Sequence, residues 1–189
     1  MKTRESGMPE ESMWEQFFDP PAVLTKLGVS HAIRDVAEFG CGYGTFTIPA
    51  ARIVSGTVYA FDIDRDMIQT TQEKVRREGL RNVCLHMRDF VTEGTGLVEA
   101  SVDFAMLFNI LHTEHPHVLL HEAYRILRSP GTLGIIHWNY DPTTPRGPSM
   151  NIRPKPEQCR AWAEEVGFIA PTSRPVDLPP YHYGVLLAR

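Results

Sequence analysis

The chain is poor in the residues that define several protein classes. Its 189 residues include only Cys41, Cys84 and Cys159, an odd number, widely spaced and without a Cys-x-x-Cys pair. That excludes a disulfide framework and a zinc ribbon, and fits a reducing compartment. A basic surplus is also missing. The formal net charge is -4, which argues against a polyanionic partner such as a nucleic acid. Long apolar runs are absent too: Val102 to Leu111 falls well short of the ~18 residues a membrane span needs, and MKTRESGMPEES has no apolar leader core. These absences lead us to expect a cytoplasmic protein with no nucleic-acid or membrane partner, a monomer or a homodimer. No internal repeat or low-complexity tract is visible.

What the sequence does have is alternation. Strand-like segments at 35–39, 57–62, 83–88, 102–108 and 132–138 are separated by helical segments at 45–54, 65–78 and 118–127. Such alternation implies right-handed βαβ units and a parallel sheet covered on both faces. Residues 1 to about 11 read as disordered, and helical pieces follow at 12–18 and 22–27 around Asp19-Pro20-Pro21. After a Pro/Gly/Thr-rich loop at 139–154, a helix is expected over 157–166, closed by Gly167. Two final strands, near 168–176 and 183–188, are too close in sequence for a crossover helix and must pair antiparallel.

The most informative stretch is VAEFGCGYGTF, residues 36–46. A glycine-rich turn from the first strand into the first helix aims backbone N–H groups at a ligand, at the topological switch point of the sheet. One glycine would suffice for a plain turn. The dinucleotide fingerprint G-x-G-x-x-G fails here, because Thr45 stands where its third glycine belongs and Gly44 comes one residue early. The acid Glu38, two residues before Gly40, is badly placed against a pyrophosphate and suits a cationic or hydrogen-bond-donating ligand. Asp62 ends the second strand about 20 residues downstream, where an adenosine ribose acid belongs. Asp64 and Asp66 fit the cap and first turn of the next helix.

Glu38-x-Gly40-x-Gly42-x-Gly44, with Asp62 after it, resembles the first motifs of the class I S-adenosylmethionine-dependent methyltransferases. NVCLHMRDF, SVDFAMLFNILH and AYRILRSPGTLGII are similar to the family's later motifs, with Ser129 and Thr132 as mild departures. The resemblance covers about 34–189. It implies a Rossmann-like three-layer α/β sandwich with a seven-stranded, mostly parallel sheet in the order 3-2-1-4-5-7-6, strand seven antiparallel. Residues 1–33 would form a tail and helical lid. The cofactor implied is S-adenosyl-L-methionine, with S-adenosyl-L-homocysteine as product. Its expected binding residues are Glu38, Gly40, Cys41, Gly42, Tyr43, Gly44, Asp62, Ile63, Met67, Asp89, Phe90, Asn109 and Ile110.

Methyl transfer from a sulfonium depends mainly on in-line positioning, so no triad is required. The catalytic candidate is His112, as a general base or a group orienting the acceptor. Trp138, Tyr140 and Phe18 join it on the acceptor side. His115 and His117 could join His112 around a metal, yet His-x-x-His on a loop lacks a ligating helix face and His117/His121, at i,i+4, fit the exposed side of the next helix, so no metal is expected. The Pro-Pro stretches at 19–22 and 178–181 do not match the [DN]-P-P-[YFW] signature of amino-group methyltransferases, in sequence or in place. The small extra elements around the domain point to a small-molecule acceptor. A non-catalytic adenosylmethionine-binding protein and, less well supported, a nicotinamide oxidoreductase are the alternatives.

Overall fold

The computed structural model describes residues 9–189. The sheet core is formed by β1 (Val36–Phe39) and β4 (Val102–Phe108) at its centre. All four residues of β1 are buried, as expected of a strand covered on both faces. Outward on one side lie β2 (Val58–Asp62) and β3 (Val83–Met87); on the other lie β5 (Leu127–Trp138), β7 (His182–Ala188) and β6 (Val176–Leu178). The order is β3-β2-β1-β4-β5-β7-β6, with β7 antiparallel to both neighbours. This is the seven-stranded topology implied by the sequence motifs.

Helices α3 (Thr47–Ile53), α4 (Arg65–Arg77), α5 (Pro116–Ile126) and α6 (Pro156–Val166) cover the sheet. Their ends follow local chemistry. The Asp64 side chain accepts from the Asp66 N–H to cap α4, and Asp66 occupies its first turn. Prolines open α5 and α6, while Gly167 closes α6 in the left-handed conformation, at φ 114°. One apolar cluster joins β1, β4, β5 and β7 to α5 and α6; the other packs α3 against the opposite face. Val23, Leu24 and Leu27 of α2 (Pro20–Lys26) belong to this second cluster.

Three boundaries differ most from the sequence reading. The N-terminal helix starts at Glu11 and Pro9 before it is buried, while residues 1–8, most of the span expected to be disordered, lie outside the described ones. It is split into α1 (Glu11–Trp14) and a 3-10 turn (Glu15–Phe17). Strand β5 begins at Leu127, which pairs with Val102 before a register shift carries the chain past Pro130 to the Phe104–Thr132 pair. The largest correction concerns β6. The span 168–176 is not a strand: Ile169 makes only an isolated bridge to Ala188, and pairing starts at Val176. Pro171 and Pro175 lack the N–H that a ladder needs.

Candidate active site

The carboxyl ends of β1, β2 and β4 converge on a cavity of about 500 Å³. Its floor is the turn after β1. The N–H groups of Gly40 and Cys41 both donate to the Phe61 carbonyl at 2.9 Å, and the Gly42 N–H donates to Asp62 Oδ2 at 2.8 Å. From α4, Thr71 Oγ1 donates to the Gly42 carbonyl at 2.8 Å and Lys74 Nζ to the Tyr43 carbonyl at 2.8 Å. The turn is therefore held before any ligand arrives.

The glycines divide the work. Gly40 lines the cavity at φ 80°, and a Cβ there would already touch Ile110 Cγ2 at 3.4 Å. Gly44, at φ 76°, is off the cavity lining. A Cβ there would lie 2.9 Å from Thr71 Cγ2, so its glycine serves the packing of the turn on α4. The spacing that excluded a dinucleotide fingerprint thus has a structural origin in this helix contact.

Two acids face the cavity in unlike states. Glu38 is 2% exposed, and its Oε2 accepts from Thr47 Oγ1 at 2.5 Å. Burial pushes its carboxyl up to about 8; the nearby Asp62 charge adds to the rise and the Thr47 bond opposes it. Asp62 is also raised by burial, against the pull of the Asp64 and Gly42 N–H groups. Each of its oxygens accepts one backbone N–H, Oδ1 from Asp64 at 3.0 Å, which leaves further lone pairs for a ligand. Asn109 follows β4 at φ 57°, a conformation Asn tolerates better than most residues. Both atoms of its amide are buried without a hydrogen-bond partner among the described residues. A buried amide left unpaired is costly, and a polar ligand would remove the cost.

Of the residues expected at the cofactor site, Glu38, Gly40, Cys41, Gly42, Asp62, Ile63, Asp89, Phe90, Asn109 and Ile110 line this cavity. Tyr43, Gly44 and Met67 do not: the Tyr43 hydroxyl instead donates to the Pro9 carbonyl at 2.9 Å. On the acceptor side, His112 and Trp138 line it, but Phe18 and Tyr140 do not. Phe18 packs behind, 4.2 Å from the His182 ring and 5.1 Å from Phe46. Tyr140 is 45% exposed, with Lys155 over its ring at 4.6 Å.

Two walls come from outside the expected site residues, one of them from the segment expected to form a helical lid. Pro9 and Trp14 come in from the N-terminal segment, and Arg146, Gly147, Pro148 and Ile152 from the loop after β5. Trp14 and Phe17 pack on Trp138 at 6.4 and 5.1 Å, and Lys74 pairs with Glu11. The aromatic density of WEQFF was the available signal. The loop is organised by Arg153, 6% exposed, whose guanidinium donates to the carbonyls of Asn139, Asp141, Arg146 and Pro148 and to Thr144 Oγ1. Nothing local marked that arginine. Among the described residues no cluster of three or more His, Cys, Asp or Glu side chains could hold a metal, and no helix is long and apolar enough to cross a membrane.

The glycine turn, the two acids and the unpaired Asn109 at the ends of β1, β2 and β4 form one binding cleft, and a methyltransferase domain model matches residues 36–131, just over half of the chain. The chain belongs to the class I S-adenosylmethionine-dependent methyltransferases. A solved S-adenosylmethionine-dependent methyltransferase from Aquifex aeolicus is similar at 26% identity and TM-score 0.81, covering 95% of this chain and 93% of that one. S-adenosylmethionine is accordingly the cofactor, with S-adenosylhomocysteine as product, and the unpaired Asn109 amide and the backbone cradle fit such a ligand. Among curated proteins, a ribosomal protein L11 methyltransferase of Desulforamulus reducens is 29% identical over 145 residues, 75% of this chain and 40% of that protein. A 23S rRNA (uracil(1939)-C(5))-methyltransferase of Alcanivorax borkumensis is 26% identical over 126 residues, 66% of this chain and 26% of that protein. The chain thus spans well under half of these relatives. One is named for a ribosomal protein and the other for an RNA, so neither supports the small-molecule acceptor, or the absence of nucleic acid, expected from the sequence.

Proposed function

We propose that this methyltransferase acts on a small acceptor held between the glycine turn, Trp138 and the two covering walls. The observation that carries the reading is the convergence of Glu38, Asp62 and the unpaired Asn109 on one cavity, beside a second group of residues on its far side. When bound, S-adenosylmethionine supplies a methyl group already activated on a sulfonium.

The residues divide into a cofactor side and an acceptor side. Asp62 would accept hydrogen bonds from the ribose hydroxyls, with Ile63 beside them. Glu38 would meet the cationic part of the cofactor, which would favour its ionised form. Asp89 and Phe90 would hold the adenine, and Asn109 and Ile110, with Gly40, Cys41 and Gly42, the methionine end. His112 and Trp138 orient the acceptor, and the rate comes mainly from holding it in line.

A small acceptor suits a cavity of about 500 Å³, within the range of small-molecule sites, roofed by Trp14 and the Arg153-bound loop. Residues 9–18 act as a lid that excludes water. The test is a labelled-methyl transfer assay with three arms: metabolite extract fractions, ribosomal proteins and RNA. Label in a metabolite fraction alone is the expected result. Label in the ribosomal-protein or RNA arm replaces the small acceptor, and tight cofactor binding without label in any arm favours a non-catalytic role.

A further inference from the structure

The loop after β4 carries His112 to the cavity, and the end of β5 brings His137 behind it. His137 is fully buried. Its Nδ1 accepts a hydrogen bond from the Trp138 backbone N–H at 3.0 Å. A ring nitrogen that accepts carries no proton, so the neutral ring bears its proton on Nε2. Burial holds His137 well below the ordinary histidine pKa, and His112, His182 and Arg153 around it act in the same direction. His137 Nε2 lies 3.3 Å from His112 Nδ1, with the two rings at 80°. With a proton on the His137 nitrogen, the His112 nitrogen must accept.

We propose that the chain Trp138 N–H, His137, His112 fixes His112 with its proton on Nε2, so that it orients the methyl acceptor as a hydrogen-bond donor and does not act as a general base. The inference rests on the reading of the cleft above only for what His112 faces. For His112 to take a proton at Nε2, its existing proton would have to sit on Nδ1, where it would meet the Nε2–H of His137. Moving the His137 proton to Nδ1 instead would set it against the Trp138 N–H. Both arrangements oppose two donors in a buried place.

The consequence is a substrate class. An acceptor that suits a donating His112 brings its attacking atom unprotonated, as a thiolate, phenolate, carboxylate or neutral amine. Its lone pair forms the new bond to the methyl carbon while the sulfur keeps the pair from the bond that breaks, and no proton passes to His112. His137 is then a positioning residue, acting through His112.

The test is long-range proton–nitrogen correlation NMR on the uniformly nitrogen-15-labelled protein at about pH 8, above the ordinary histidine pKa of about 6.5. His112→Gln and His137→Gln assign the two rings. The expected spectrum has both protons on Nε2. A proton on Nδ1 of either ring would overturn the proposal. His137→Gln retains an amide donor and is expected to keep the His112 pattern. His137→Phe removes the donor, and His112 should move to a mixture of its two neutral forms; an unchanged His112 pattern in that variant overturns the role of His137. Should His137→Phe not fold, the wild-type spectrum still decides. Failure of the wild type to bind S-adenosylhomocysteine would remove the methyltransferase reading while leaving the proton positions as measured.

Discussion

The two ends of the sheet use similar residues to opposite purposes. At the amino end, Asp103 Oδ2 accepts from the N–H groups of Arg34 and Asp35 at 3.0 and 2.9 Å, and its Oδ1 accepts from Arg128 at 2.6 Å. Asp35 accepts from the Thr57 N–H and from Arg128. Burial alone would raise the Asp103 carboxyl, yet these donors hold it below its ordinary value. At the carboxyl end, Glu38 has one hydroxyl partner and is pushed up to about 8, while Asn109 has none. His182, sealed between Phe18 and Trp138 with both ring nitrogens unpaired among the described residues, is pushed down to about 3 by burial and the Arg153 charge. Satisfied donors and acceptors contribute to stability; a site short of partners holds interactions in reserve for a ligand.

The comparison can be broken by moving one end and reading the other. The largest effect is expected for Asp62→Ala, which should weaken S-adenosylhomocysteine binding by about 1.5–3 kcal/mol through lost hydrogen bonds to a charged group. Unchanged affinity by calorimetry would remove Asp62 from the cofactor. At the other end, Arg128→Ala should cost about 1–2 kcal/mol of stability in urea titration, because two acids lose their shared cation. Cofactor affinity should not change, and a parallel loss would show that the ends are not separable.

Glu38→Gln sharpens the contrast by about tenfold in affinity, ~1.4 kcal/mol. The folded carboxyl titrates near 8 against an ordinary 4.5, so the folded state keeps a proton that the unfolded chain has released. Stability contributed by this group therefore falls as pH rises from about 4.5 to 8, and the Gln variant should flatten that slope in denaturation followed against pH. A slope unchanged by the substitution would deny the raised pKa. Smallest is Asn109→Gly, which accepts the left-handed backbone. It should leave stability within ~0.5 kcal/mol while weakening the cofactor several-fold, again by calorimetry.

The legible parts of this molecule are those set by neighbours in sequence. The strand order was implied by the resemblance of the motifs to the methyltransferase family, while alternation pointed to the parallel body and the short link between the last two strands to their antiparallel pairing. Glu38, Asp62 and Asn109 were readable because each sits at or beside a strand end that topology sends to the same crevice. Strand β6 was misplaced because Phe168 and Ile169 look strand-like by composition, whereas Phe168 is buried among side chains of the core. Arg153 orders the loop beside the site through long-range packing, which no local pattern encodes, whereas Trp14 was signalled by the aromatic density of WEQFF. Tyr140 was assigned from its place in the loop after β5 and Phe18 from the aromatic WEQFF segment, and neither side chain lines the cavity.

The central claim is that the unsatisfied carboxyl end of the sheet exists to hold S-adenosylmethionine. Calorimetric titration of the 189-residue chain with S-adenosylhomocysteine, and separately with NADH, tests it most directly. Saturable one-to-one binding of S-adenosylhomocysteine, with none of NADH, is the predicted result. Binding of NADH without S-adenosylhomocysteine would contradict it.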